Sequence, residues 1–164
     1  MSLQAGFVGL GLILAIGCTS SPETSSVGSK GEAPEMSGES IRRETKAVVV
    51  GTTRLHYLER GTGPLILLLH GFPEYSGMWR DYLEPLGTSN HVVAPDLRGY
   101  NLSAQPGAVS EYALEKLMGD VTGLVQKLGH NKVCLVGHDW GGLLSWYVAA
   151  IWHGWSEDTA LVVR

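Results

Sequence analysis

Residues 133–142 read Val133-Cys134-Leu135-Val136-Gly137-His138-Asp139-Trp140-Gly141-Gly142, and this stretch decides the fold. A short apolar run of strand length passes through a glycine-flanked polar pair into Gly141 to Ile151, which reads as a buried helix. A strand that becomes a helix within a few residues must turn sharply. Glycines at both sides permit that turn, and the turn holds its central side chain exposed above the sheet. The central residue here is Asp139.

An aspartate in that place sets the chemistry. Its reference pKa of about 3.9 leaves it ionised at neutral pH, so it needs no base to become a nucleophile. A carboxylate can attack a saturated carbon and leave an alkyl ester on the protein, whereas attack on an ester or amide gives only a reactive anhydride. The expected substrate is therefore a small molecule with an sp³ electrophile, such as an epoxide or an alkyl halide. The bland reading of the same residues is an aspartate capping a helix after a glycine turn.

Upstream, Leu65-Ile66-Leu67-Leu68-Leu69 is a continuous apolar run bounded by turn residues, as expected of a parallel strand covered on both faces. It ends in His70-Gly71-Phe72-Pro73-Glu74. A loop at that position can offer one backbone donor to an oxyanion, the other being the amide of Trp140, next after Asp139. Together the two N–H groups would hold the negative oxygen formed when water attacks the carbonyl of an Asp139 ester.

The remaining pattern agrees with a layered α/β fold. Val48 to Val50 and Arg54 to Leu58 read as two short strands around Gly51-Thr52-Thr53, and His91 to Pro95 as another. Trp79 to Leu86 has apolar residues at helical spacing, with Pro85 near its end, and Ser110 to Leu128 reads as a helix stopped by Gly129. Two strands followed by alternating strands and helices mean α/β with a mostly parallel sheet. Functional residues in such sheets lie at the carboxyl ends of the strands, where both loops fall.

The chain from about Val49 to Ala150 resembles the N-terminal half of the α/β-hydrolase fold epoxide hydrolases. The resemblance rests on the two loops above together with Met78-Trp79-Arg80, Val93-Ala94-Pro95-Asp96-Leu97-Arg98-Gly99-Tyr100 and Trp146-Tyr147-Val148-Ala149-Ala150, all in family order. It implies that Asp139 is the nucleophile and that Phe72 and Trp140 give the oxyanion donors. It also implies a cis Phe72-Pro73 peptide and supporting positions at His70, Gly71, Pro73, Gly137 and Gly141. It implies no cofactor, and no residues are read as metal ligands. One departure is Asn101, which stands where the family often has glycine; asparagine tolerates turn conformations.

The family's catalytic histidine, its acid partner and a cap domain with tyrosines that protonate the epoxide all follow the elbow in chain order. This chain stops 25 residues after Asp139. The expectation is a domain truncated before the cap, inactive as it stands and marginally folded, with its sheet ending near the strand before the elbow. None of the six histidines is assigned as the base. A haloalkane-dehalogenase-like hydrolase is the alternative enzyme; Phe72 stands where those proteins usually place a hydrogen-bonding side chain. A non-catalytic truncated lipoprotein is the alternative of another class.

Composition bounds the partners. A net charge of -4 leaves no broad basic surface, which argues against nucleic acid. Two cysteines, Cys18 and Cys134, make neither a disulfide framework nor a metal site. The apolar stretch from Phe7 to Gly17 is too short to span a bilayer and matches a signal-peptide core. Leu14-Ala15-Ile16-Gly17-Cys18 resembles a bacterial lipobox, which implies lipidation at Cys18 and a cell-envelope location, lipid-anchored or secreted. The Ser-, Gly-, Glu- and Pro-rich segment that follows cannot bury enough apolar surface to order itself. The expected organisation is therefore a signal and lipobox-like segment at 1–18, a disordered linker at 19–46 and a partial hydrolase domain at 47–164.

Overall fold

In β3 (Leu65–Leu69), alternate leucines part to opposite sides: Leu65, Leu67 and Leu69 enter one apolar cluster, Leu68 and Ile66 another. A strand buried on both faces needs cover on both. The computed structural model, which describes residues 45–151 and the backbone of residues 161–163, supplies it. One face carries α2 (Leu114–Lys127) and α3 (Trp140–Ile151); the other carries a 3₁₀ turn (Ser76–Trp79) running into α1 (Arg80–Gly87).

The sheet has six strands in the order β1-β2-β4-β3-β5-β6. The other five are β1 (Thr45–Val50), β2 (Thr53–Arg60), β4 (His91–Pro95), β5 (Cys134–Gly137) and β6 (Leu161–Val163). β1 and β2 form an antiparallel hairpin, and β2 runs antiparallel to β4, whereas β4, β3, β5 and β6 are mutually parallel. This is the mostly parallel α/β sheet that the sequence implies.

Several boundaries differ from expectation for identifiable reasons. The long helix begins at Leu114 rather than Ser110, after a separate 3₁₀ turn at Val109–Tyr112 and an extended Ala113. The Glu111 carbonyl is taken by the guanidinium of Arg98 at 2.8 Å, which holds this backbone out of the helix. The sheet also does not end at the elbow strand, because β6 pairs with β5 in parallel register, Leu135 opposite Leu161. Cys134 is half-buried. Cys18, the segment at 1–18 and residues 19–44 of the expected 19–46 linker lie outside the described residues, whereas Thr45 and Lys46, expected at the linker's end, open β1 and pair with β2.

Arg98 and Asp120 make the main buried ion pair, with Nε and Nη2 donating to the two carboxylate oxygens at 2.7 Å each. The pair ties the loop after β4 to the middle of α2. Asp96, wholly buried, accepts from the Ser76 amide at 2.9 Å, from Asn101 Nδ2 at 2.9 Å, and contacts His56 Nδ1 at 2.6 Å. Burial raises its pKa, but the bonds from Ser76 and His56 outweigh that and hold it below the ordinary value.

Candidate active site

β3 and β5 are adjacent and parallel, so the loops leaving their carboxyl ends meet. The His138 amide donates to the Leu69 carbonyl at 3.0 Å, which locks the start of one loop to the start of the other. Asp139 then adopts φ 52°. That left-handed conformation costs an L-residue on the order of 1–2 kcal/mol, and only Asn101 shares it among the described non-glycine residues. The turn is closed by the Gly141 amide on His138 O at 2.9 Å and the Leu143 amide on Asp139 O at 3.0 Å, the first bonds of α3.

Close approach explains the glycines. A Cβ on Gly71 would lie 2.5 Å from Asp139 Cβ and 2.7 Å from Asp139 Oδ1; one on Gly141 would lie 2.3 Å from the Leu69 carbonyl oxygen. Gly137 is equally constrained, since its Cβ would meet the Gly141 carbonyl oxygen at 2.5 Å. The helix start is thus seated directly on the ends of the two strands.

The Asp139 side chain is exposed, and its Oδ1 accepts the Phe72 backbone N–H at 3.0 Å. That bond first, and the Trp140 backbone N–H second, hold the carboxyl below its ordinary pKa. The peptide between Phe72 and Pro73 is cis. The structure therefore brings Asp139, Phe72 and Trp140 together as the sequence suggests. The Phe72 and Trp140 side chains stand exposed beside the carboxylate.

His70 is buried behind the site. Its Nε2 accepts the Leu97 amide at 2.9 Å, and an amide N–H can only donate, so Nδ1 carries the proton and donates to the Gly71 carbonyl at 2.9 Å. Burial pushes its pKa down, in keeping with a neutral ring. Both nitrogens are committed to backbone. His138 Nδ1 lies 3.1 Å from Glu74 Oε2, linking the elbow to the end of the cis-proline loop. Sequence reading missed this contact and the Asp96–His56 pair; the only signal was that Glu74 and Asp96 lie in the quoted landmarks.

Relatives bear on what this geometry is. A profile of the alpha/beta hydrolase fold matches residues 64–151, more than half of the chain and inclusive of both loops. This chain belongs to the alpha/beta hydrolase fold family. Within that family it is 39% identical over 108 residues to epoxide hydrolase 1 of Caenorhabditis elegans, covering 65% of this chain and 27% of the relative. It is 46% identical over 99 residues to epoxide hydrolase 4 of Mus musculus, covering 58% and 27%. A crystal structure of an epoxide hydrolase from Vigna radiata superposes with a TM-score of 0.66 at 39% identity, covering 68% of this chain and 36% of the other. An epoxide hydrolase from an endophytic Streptomyces gives 0.66 at 37% identity, covering 73% and 35%. This alpha/beta hydrolase chain thus spans roughly a fifth to a third of the length of the curated relatives it matches.

Proposed function

We propose that this chain carries the alkylating half of an epoxide hydrolase site, with Asp139 as nucleophile. One observation carries the reading above all: the Asp139 carboxylate, raised on a strained turn, rests against two backbone N–H groups that can later hold an oxyanion. Relatives named as epoxide hydrolases over the same residues support the substrate class.

With Oδ1 held by Phe72, the other oxygen, Oδ2, is the one left to react. Oδ2 attacks a ring carbon of the epoxide, the ring C–O bond breaks, and the alkoxide formed takes a proton from water. The product is a hydroxyalkyl ester of Asp139. Hydrolysis follows when water adds to the ester carbonyl, the negative charge collects on the oxygen facing Phe72 and Trp140, and the acyl–oxygen bond breaks to release a diol. Asp139 is then a carboxylate again and contains one oxygen from water.

Water addition needs a general base. Among the described histidines, His70 is committed at both nitrogens and His56 is bound to Asp96, whereas His138, oriented through Nδ1 by Glu74, is the one that stands beside the elbow with its other ring nitrogen available. His91 and His130 lie at the amino ends of the strands, away from the site. Ester formation needs only the ionised carboxylate and hydrolysis needs a base as well, so the ester is the species expected to accumulate.

The test is peptide mapping by mass spectrometry after incubation with excess styrene oxide. One adduct per chain on the Asp139 peptide is expected, and none in Asp139→Asn. An adduct count unaffected by Asp139→Asn would refute the assignment. Sustained diol release without ester build-up would instead make His138 the base, and heavy-oxygen water would then label Asp139.

A further inference from the structure

At the amino-terminal end of the sheet, opposite Asp139, two imidazoles face each other: His91 Nδ1 and His130 Nε2 are 3.0 Å apart. Both backbones are fixed. His91 opens β4, its amide donating to the Pro64 carbonyl at 2.9 Å. His130 follows α2 in a glycine-closed cap: Gly129 has φ 81°, its amide bonds Gln126 O, and the His130 amide bonds Val125 O at 3.1 Å. The rings are held at a centroid distance of 5.2 Å by two separate elements. Nothing in the proposed reaction uses them.

We propose that His91 and His130 form a two-imidazole site for a divalent transition ion of the nickel or copper type. Two nitrogens each about 2.1 Å from one ion and at a right angle to each other are about 3.0 Å apart, which is the spacing seen. Right-angle nitrogen ligation is the preference of tetragonal copper(II) and nickel(II), and imidazole suits both. A second feature points the same way. Glu59 Oε2 lies 3.6 Å from His91 Nε2, on the far side of that ring. The contact is longer than a hydrogen bond, but a carboxylate on that side of the ring favours the tautomer protonated there and stands where the outer partner of a metal-binding histidine is usually found. Lys46 pairs with Glu59 from β1, so the carboxylate itself is already neutralised and stays outside the coordination shell.

Without metal, one of the two facing nitrogens carries a proton and donates it to the other. With metal, neither facing nitrogen carries a proton, each ring turns so that its lone pair swings roughly 45° off the N–N line onto the ion, and water fills the remaining positions. Among the described residues no set of three or more His, Cys, Asp and Glu side chains is grouped to hold a metal, so the protein supplies two ligands here. The ion would clip the start of β4 to the loop before β5.

The experiment is calorimetric titration of the untagged chain with nickel chloride, followed by chelation. One equivalent is expected to bind, with affinity reduced at least about tenfold in His130→Asn and in His91→Gln, and by about tenfold in Glu59→Gln. Asp139→Asn should bind as the parent does. Proton NMR of the parent chain serves as the second readout, independent of how well the variants fold: sub-stoichiometric nickel should broaden the ring protons of His91 and His130 and leave those of His56 and His70 sharp. Equal binding by the histidine variants, or broadening centred on any other histidine, would overturn the site and leave the pair as a hydrogen bond only.

Discussion

Phe72 and Asp139, 67 positions apart, are joined by a 3.0 Å hydrogen bond from the backbone N–H of one to Oδ1 of the other. The bond exists because β3 and β5 are parallel neighbours whose following loops are fastened together by the His138–Leu69 bond. It makes the two oxygens of a symmetrical group inequivalent, since Oδ1 is the one that takes the Phe72 N–H. It also places the donors before any charge develops, which is what electrostatic preorganisation requires.

The first prediction concerns pH. Backbone donation from Phe72 and then Trp140 lowers the Asp139 pKa below its ordinary value of 3.8, so the reactive carboxylate persists above that value. The rate of adduct formation with an epoxide should be flat from pH 8 down to about pH 4 and fall only below it. Following adduct mass against time at fixed epoxide concentration checks this. A midpoint near pH 6 would mean that another group, not the carboxylate, is reacting.

Gly71 gives the second prediction. In Gly71→Ala the added methyl would lie 2.5 Å from Asp139 Cβ and 2.9 Å from the His138 carbonyl oxygen, neither of them a flexible chain end. The elbow must move, and a misplacement of about 1 Å can cost on the order of 100-fold in rate. Adduct formation should drop at least about tenfold while the circular dichroism spectrum stays that of the parent. Undiminished alkylation would show that the contact between the two loops does not position the nucleophile.

The third concerns stability away from the site. Arg98 and Asp120 are both almost fully buried and joined by two bonds of 2.7 Å. Removing Asp120 takes two bonds from a buried guanidinium and leaves it only Glu111, whose carbonyl and carboxylate Nη1 already meets, so the cost should approach but not exceed the about 3–5 kcal/mol typical of breaking a buried pair. Asp120→Ala should therefore lower the urea midpoint steeply, and Arg98→Met combined with Asp120→Leu should recover much of the loss. A midpoint unchanged in Asp120→Ala would show that water reaches the pair.

The architecture and both loops were legible because local chemistry settles them: an apolar run of strand length, a glycine-bounded turn, then an apolar helix. Asn101, at φ 43°, takes the turn conformation expected of a residue standing in for glycine. What escaped depends on distant partners. Ser110 to Ala113 have a helix-compatible sequence, yet Arg98 claims the Glu111 carbonyl and the helix starts at Leu114. The four-residue lag at the start of α2 and the Glu74–His138 contact are decided by groups far along the chain, which periodicity does not register.

The last prediction follows from α3. A helix on the surface should be apolar on one face only, whereas this one buries Leu144 and Val148 and at the same time exposes Leu143, Trp146, Tyr147 and Ile151. Trp146 is 59% exposed, and Trp140 and Phe72 extend the patch toward Asp139. An apolar surface of this kind associates with whatever apolar surface it meets. The chain alone should thus self-associate as its concentration rises and bind a hydrophobic dye. Charges placed on the outer face, in Leu143→Lys with Trp146→Glu, should reduce both effects and keep the helical signal, since neither side chain belongs to the buried clusters. Sedimentation velocity across a hundredfold concentration range, with dye fluorescence measured in parallel, reads the outcome. A parent chain that stays monomeric and dark over that range would mean that its own remaining residues cover the face.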